Sequence, residues 1–159
     1  SNTSGVLALL AIAKALPHNK RVCLVFLDNN ERNLLGATAF RKKHPGAAAS
    51  ALFINFDCVG DGEHLLLMPS KYSRWDEELL SALRDAFPDG ETVHPKVLTQ
   101  GLIYYPSDHK KFKFHVAGLG YYIPRLRTKR DTQLSLDNIT CLTEGIVRFI
   151  PLYLNEKEE

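Results

Sequence analysis

The chain has 159 residues, of which 45% are apolar and 24% charged, and its formal net charge is +2. These values are typical of one globular domain with a substantial core rather than of a disordered or membrane protein. A net charge this small, with no stripe of basic residues, gives no reason to expect nucleic acid or a membrane surface as a partner.

Membrane insertion and secretion are not expected from the sequence. No uncharged apolar run reaches about 18 residues, the length that a spanning helix needs. The N-terminal apolar stretch contains Lys14 and follows no basic segment, so it does not resemble a signal peptide. We therefore expect a soluble protein.

Periodicity and breaker residues predict alternating helices and strands. In chain order, we expect a helix over 1–16, a strand over 22–28, a helix over 34–44, strands over 51–59 and 64–68, a helix over 75–87, an edge strand over 92–98, a short helix capped by Ser107 or Asp108, a strand over 116–123 and a helix over 136–154.

Several of these elements have a predicted environment. The helix over 1–16 is apolar on almost every face, which indicates burial. The run VCLVFLD at 22–28 is typical of a central strand covered on both faces. A turn at Asp61-Gly62 predicts that 64–68 forms a hairpin with the strand before it. Asp137 or Asn138 is expected to cap the last helix.

This alternation predicts an α/β fold, a three-layer α/β/α sandwich with a mixed, mostly parallel central sheet. We expect a single domain over residues 1–159, truncated at its N-terminus. The cysteines have neither zinc-knuckle spacing nor a disulfide framework, so all are expected to be buried thiols: Cys23, Cys58 and Cys141.

Five short motifs follow one another in order: SNTSG at 1–5, DNNERNLLGA at 28–37, NFD at 55–57, YPSDH at 105–109 and RLRTKRDT at 125–132. Dinucleotide, P-loop, zincin and hydrolase-elbow motifs are absent from the sequence. Taken together, the five motifs resemble the co-catalytic zinc aminopeptidases of the leucyl-aminopeptidase and glutaminyl-cyclase-like superfamily. The resemblance covers nearly the whole chain, and the order of the motifs is more specific than any single one.

The resemblance implies a pair of zinc ions and a general base that activates water. It also implies that Ser1, Asn30 and Arg127 replace the bridging Asp, the general-base Glu and the terminal His of the family. Glu31 and Asp57 remain as metal ligands, one at each metal position, and a further His comes from an upstream segment. Tyr105, Asp108 and His109 are expected to line the former substrate cleft.

One carboxylate at each position cannot hold zinc against solvent, and an amide side chain is not a base. We therefore expect no cofactor and no aminopeptidase activity. We also expect Arg127 to pair with Glu31, Asp57 or both in place of the metal. Such a chain is either a minimised or engineered version of the fold, or a natural degenerate homologue.

Other interpretations remain open on sequence grounds. An active metal-dependent hydrolase would bind zinc through Glu31 and Asp57, with ligands drawn from Asp28, Asp61, Asp108 and His109. A binding module would keep the old cleft for a peptide or protein partner without chemistry. Two further pairings are weaker: Cys58 as a thiol nucleophile with His109 as its base, and Ser1 as an N-terminal nucleophile.

Overall fold

A computed structural model describes residues 2–28, 32–69, 77–92, 107–112, 116–121 and 134–156. Within these ranges, the elements in chain order are α1 (Asn2–Ala15), α2 (Leu35–Lys43), α3 (Pro45–Ser50), β1 (Phe53–Phe56), β2 (Leu65–Pro69), α4 (Glu77–Ala86), β3 (Glu91–Thr92), a 3₁₀-helix (Asp108–Lys111), β4 (Val116–Tyr121) and α5 (Leu136–Glu156). None of the described helices is both long and apolar enough to cross a membrane.

The strands form a mixed sheet in the order β1-β4-β2-β3. β1 is parallel to β4, β3 is parallel to β2, and β2 is antiparallel to β4. The pairing of β1 and β4 continues beyond the strands, because the Asp57 amide donates to the Leu119 carbonyl and the Tyr121 amide donates to the Cys58 carbonyl, both at 3.0 Å. The predicted α/β class with a mixed sheet is confirmed.

Apolar side chains form two clusters that use alternate residues of β1 and β4. The larger cluster joins the sheet to α1, α4 and α5, and its fully buried members include Ile12, Leu119 and Leu142. The smaller one joins the sheet to α2 and the 3₁₀-helix, and it includes Phe112 and Val116. Because side chains on a strand alternate between faces, the two clusters lie on opposite faces of these strands. The complete three-layer sandwich stays a prediction.

The segment 22–28 is not the central strand that its composition predicted. The structure assigns it neither helix nor strand, and Phe26 is 53% exposed. A continuous apolar run becomes a central strand only where strands lie on both of its sides, and in the described residues this segment is paired with none. Its side chains at Leu24 and Leu27 still pack against the core clusters.

Three other expectations are corrected by the tertiary structure. β2 does not form a hairpin with β1, because β4 lies between them. Cys23 and Cys141 are exposed, and of the three cysteines Cys58 alone is buried. Helix α1 is buried along one side only, since Val6 is 45% exposed and Leu10 is 53% exposed.

The residue that caps helix α5 lies two or three positions before the predicted caps, Asp137 and Asn138. The Ser135 hydroxyl accepts the Asn138 amide at 3.2 Å, which is the N-cap geometry. The Asn138 side chain instead donates to the Gly62 carbonyl at 2.9 Å, and this bond holds the start of α5 against the loop after β1. A hydroxyl outside the helix therefore takes the capping role that the sequence pattern assigned to Asp137 or Asn138.

Gly120 in β4 lies in close contact with the chain that follows β1. A Cβ at this position would lie 2.6 Å from the Asp57 carbonyl oxygen and 3.2 Å from the Met68 methyl group. We expect Gly120→Ala to lower the free energy of unfolding by about 1–3 kcal/mol, because the backbone of Asp57 must shift. Urea denaturation followed by circular dichroism measures this change.

Gly46 in α3 provides the matched control. Nothing lies within 4 Å of a Cβ built there, so Gly46→Ala should leave the stability unchanged or raise it by up to about 1 kcal/mol. Equal effects of the two alanines would contradict the close approach of Asp57 to β4.

Candidate functional site

Asp57, one of the two predicted remnant ligands, lies at the carboxyl end of β1. It is half-buried and directly follows the last strand residue. Its Oδ1 accepts a hydrogen bond from the Cys58 thiol at 3.2 Å. Cys58 has a φ of 56°, in the left-handed region, so the chain turns sharply after the aspartate. The carboxylate is therefore held at the sheet edge by the residue that follows it.

Helix α1 brings the SNTSG motif against this turn. The Ser4 hydroxyl accepts the buried Val59 amide at 3.1 Å. A Cβ at Gly5 would lie 2.6 Å from the Phe56 carbonyl oxygen, so only glycine permits this approach of the helix to β1. The SNTSG motif is therefore in contact with the NFD motif, through Gly5 and Phe56. Sequence reasoning missed these two positioning residues, although the small Ser-Gly pair inside the motif was a visible signal.

The YPSDH motif meets β1 on the other face of the sheet. The Asn55 side-chain amide donates to the Ser107 hydroxyl at 2.7 Å, and Ser107 is fully buried. Asn55 pairs in register with Gly118 of β4, and the His109 ring lies against that glycine, where a Cβ would be 2.9 Å from Nδ1. Ser107 was predicted as a helix cap, but its hydroxyl makes no capping bond. It tethers the motif to β1 instead.

Two of the predicted cleft residues lie beside this tether. His109 is fully buried and Asp108 is 8% exposed. Both line a cavity together with Asn55. The third predicted cleft residue, Tyr105, lies outside the described residues, as do Ser1, Asn30, Glu31 and Arg127.

The remaining carboxylates offered as alternative ligands are dispersed. Asp28 is exposed at the end of segment 22–28. The Asp61 carboxylate accepts a hydrogen bond from the amide of the next residue, Gly62, at 2.9 Å. Within the described ranges, no three His, Cys, Asp or Glu side chains come together in a way that could hold a metal ion. A rearranged metal site would therefore need ligands from outside those ranges, such as Glu31.

The alternative pairing of Cys58 with His109 is not favoured by the sheet. The Cys58 carbonyl is bonded to Tyr121, whereas His109 lies against Gly118. Three residues of a strand span about 10 Å, so the two residues are anchored at different levels of β4.

Burial raises the pKa of the Tyr121 phenol, which lies beside the turn at Cys58, and the Cys141 thiol raises this pKa further. The phenol therefore stays neutral at physiological pH.

A double-mutant cycle can measure the hydrogen bond between Asn55 and Ser107. Ser107→Ala and Asn55→Ala should each lower the free energy of unfolding by about 1–3 kcal/mol, because each leaves a partly or fully buried polar partner behind. The double variant should lose less than the sum, with a coupling of about 1 kcal/mol. Chemical denaturation measures all three variants.

The control for this cycle is Ser50→Ala in α3. The Ser50 hydroxyl also donates to a neighbour, the Gly46 carbonyl at 2.9 Å, but it is exposed, so we expect a change within about 0.5 kcal/mol. Strictly additive losses at Asn55 and Ser107 would show that the two side chains do not interact.

Comparison with known proteins agrees with the ordered motifs. The model of peptidase family M28 matches residues 2–133, which is well over half of the chain. No curated protein matches the chain. The matched range includes every described strand, four of the five motifs in full, and all of the first motif except Ser1. The chain therefore belongs to peptidase family M28, a family of zinc-aminopeptidase-like metallopeptidases.

Proposed function

We propose that this chain is a non-catalytic member of its family, a scaffold with the fold of a zinc-dependent aminopeptidase and without a working zinc centre. The observation that carries the proposal is the residue set in the motifs. Ser1, Asn30 and Arg127 stand where the resemblance implies a bridging Asp, a general-base Glu and a terminal His. Each replacement removes a different chemical property.

Ser1 removes the bridge between two metal ions. A bridging carboxylate offers one anionic oxygen to each cation, whereas a serine hydroxyl offers a single neutral oxygen. Zinc sites in proteins are built from thiolate, imidazole and carboxylate ligands, and a catalytic site has three of them at each ion. With the bridge lost, each metal position loses one of those ligands at the same time.

Asn30 removes the group that would deprotonate water. A carboxamide has no side-chain atom that accepts a proton near neutral pH, so it can orient a water molecule but cannot take its proton. Even a chain that bound zinc would lack its general base at this position. Loss of activity is therefore expected independently of metal affinity.

Arg127 replaces a ligand by a cation. A guanidinium has five N–H donors, no acceptor, and a charge that is retained at all physiological pH values. It repels a divalent cation and attracts the carboxylates that remain. We propose that it pairs with Asp57, with Glu31 or with both, which would offset the repulsion of carboxylates left without their metal ions.

The geometry around Asp57 supports this proposal. It is the one implied metal position among the described residues, and its Oδ1 already accepts the Cys58 thiol. Within those residues, it belongs to no group of three or more His, Cys, Asp or Glu side chains that could hold a metal ion. The donor set of the chain does not fit a pair of zinc ions, so no hydrolytic step is derived through them.

The first test is restoration of the centre in two stages. The chain as it stands should purify with well below one zinc per molecule, show no zinc-dependent rise in melting temperature, and release no amino acid from short peptides. Ser1→Asp with Arg127→His, joined to the upstream histidine segment of the family, should restore zinc binding. A ligand that binds only the folded state at about 100 times its Kd stabilises it by about 2.7 kcal/mol.

Asn30→Glu then separates metal binding from catalysis. Added to the two-residue variant, it should leave zinc content unchanged and bring back peptide hydrolysis, because it supplies the general base. Metal analysis and amino-acid release are the two measurements. Stoichiometric zinc or brisk hydrolysis in the unaltered chain would refute the proposal and favour an active hydrolase with a rearranged site.

The second test concerns Arg127. Arg127→Gln should lower the free energy of unfolding by about 1–3 kcal/mol, and the loss should shrink when Asp57→Asn or Glu31→Gln is already present. Lys42→Gln is the control, because Lys42 is an exposed cation in α2. Additive effects with both carboxylates would show that Arg127 is not their partner.

A further inference from the structure

A group of cations lies where the end of α2 meets the 3₁₀-helix. Arg41, Lys42 and Lys43 are in the last turn of α2. The Arg41 guanidinium donates through Nη1 to the backbone carbonyl of Lys111 at 3.1 Å, so the two helices are in direct contact here. We call Arg41, Lys42, Lys43 and Lys111 the basic surface. The tertiary structure brings it together from two short basic runs that are 70 residues apart in the sequence.

The basic surface has more positive charge than the dipole of α2 can balance. Basic residues in the last turn of a helix are stabilised by its dipole, which is the ordinary explanation for such a run. That dipole is equivalent to only about half an elementary charge at the helix end. The basic surface has four cations, so most of its charge needs another explanation.

Carboxylates do not balance this charge within the described residues. Asp28 lies beside Gly36 in the first turn of α2, at the opposite end of the helix from the cations. Asp108 begins the 3₁₀-helix, but it is only 8% exposed. None of the three lysines of the basic surface has an ion pair with a described carboxylate. The local charge is therefore strongly positive, although the net charge of the whole chain is only +2.

The basic surface lies far from the candidate site along β1. Phe40, in the same turn of α2, packs against Phe53 with ring centroids 6.1 Å apart, and Phe53 is the first residue of β1. Phe112, which ends the 3₁₀-helix, stacks on the same ring at 3.9 Å. Asp57 follows the last residue of β1. The basic surface is therefore at the amino end of β1, and Asp57 is at the carboxyl end.

The surroundings of the basic surface favour a protein partner over a bilayer or a nucleic-acid strand. Bilayer surfaces are bound by cations together with large apolar side chains, and single strands by cations together with exposed aromatic rings. The large apolar side chain that α2 exposes is Leu35, at its other end. The aromatic ring next to the cations, His44, packs on Phe40 with ring centroids 4.8 Å apart. Charge alone is left for recognition, and carboxylates match it.

We propose that the basic surface is a docking site for an acidic segment of another protein, with three or four Asp or Glu side chains close together in sequence. Its carboxylates accept charge-assisted hydrogen bonds from the three ammonium groups and from Arg41. A guanidinium has five N–H donors, so Arg41 can bind a carboxylate while it still donates to Lys111. This docking does not depend on whether the chain binds zinc.

The test uses a blocked, fluorescently labelled peptide of six glutamates, with a peptide of six glutamines as its control. Fluorescence anisotropy with the full chain should show saturable binding of the glutamate peptide at low salt. The glutamine peptide should bind at least tenfold more weakly. Raising the salt from about 10 mM to about 100 mM shortens the Debye length from about 30 Å to about 10 Å, and it should weaken binding about tenfold.

A double variant locates the docking site. Lys42→Gln with Lys43→Gln removes half of the charge of the basic surface and should weaken binding of the glutamate peptide about fivefold or more. The matched control is Lys14→Gln with Arg84→Gln, which removes two charges from α1 and α4, on the opposite face of the sheet. It should change the affinity less than about twofold. All four side chains are exposed, so both variants should fold.

Lys111→Gln tests whether the 3₁₀-helix takes part. It should weaken binding about twofold or more, because one of four cations is lost. An unchanged affinity would show that α2 binds alone, and it would overturn the composite surface.

Three further results would overturn the proposal. Equal affinities of the glutamate and glutamine peptides, or equal effects of the two double variants, would show that the basic surface does not select carboxylates. Tighter binding of phosphatidylserine vesicles or of a short RNA than of the glutamate peptide would identify a bilayer or a nucleic acid as the partner. Self-association at low salt that Lys42→Gln with Lys43→Gln abolishes would identify a second copy of this chain.

Discussion

The pairing of β1 with β4 is the constraint on which the candidate site depends. Backbone amides and carbonyls in the core need partners, and the ladder supplies them from Phe53 to the turn at Cys58. Since the ladder includes the amide of Asp57, the carboxylate is fixed at one level of the sheet. α1 contacts the same turn through Ser4, and the YPSDH motif contacts β1 through Asn55. Three distant motifs are therefore positioned by one pair of strands.

A dinuclear metal centre is more sensitive to substitution than this scaffold is. Gly5 lies against the Phe56 carbonyl and Gly118 against the His109 ring, and neither position has room for a Cβ. Metal binding requires several anionic or imidazole donors at once, and the free energy of binding falls with each one that is lost. Under the proposed function, the chain keeps the fold of its metallopeptidase family without the side chains that a pair of zinc ions needs.

The cavity beside β1 lies where strand pairing ends among the described residues. A strand in the middle of a parallel sheet is stable because both edges and both faces are covered. The apolar helices on either side of the cavity supply the faces, and the segment 22–28 has the composition of a neighbour, but the two backbones are not joined.

The amino-acid sequence by itself determined the class of the fold, the approximate positions of most elements and the family. Helix periods, breaker residues such as Pro17 and the order of the motifs are local or linear properties, and they do not depend on what the chain packs against. Strand β4 and helix α5 were predicted to within a few residues for this reason. The proposed replacement of family residues at Ser1, Asn30 and Arg127 also rests on the sequence alone.

Only the tertiary structure decided which strands pair and which small residues hold the site together. The periodicity of 64–68 indicates a strand, but the insertion of β4 between it and β1 depends on contacts across about 50 residues of chain. The composition of 22–28 indicates a buried strand, but burial depends on neighbours that a local pattern cannot supply. The roles of Ser4, Asn55 and Ser107 arise from hydrogen bonds between distant segments, and no spacing in the sequence encodes such bonds.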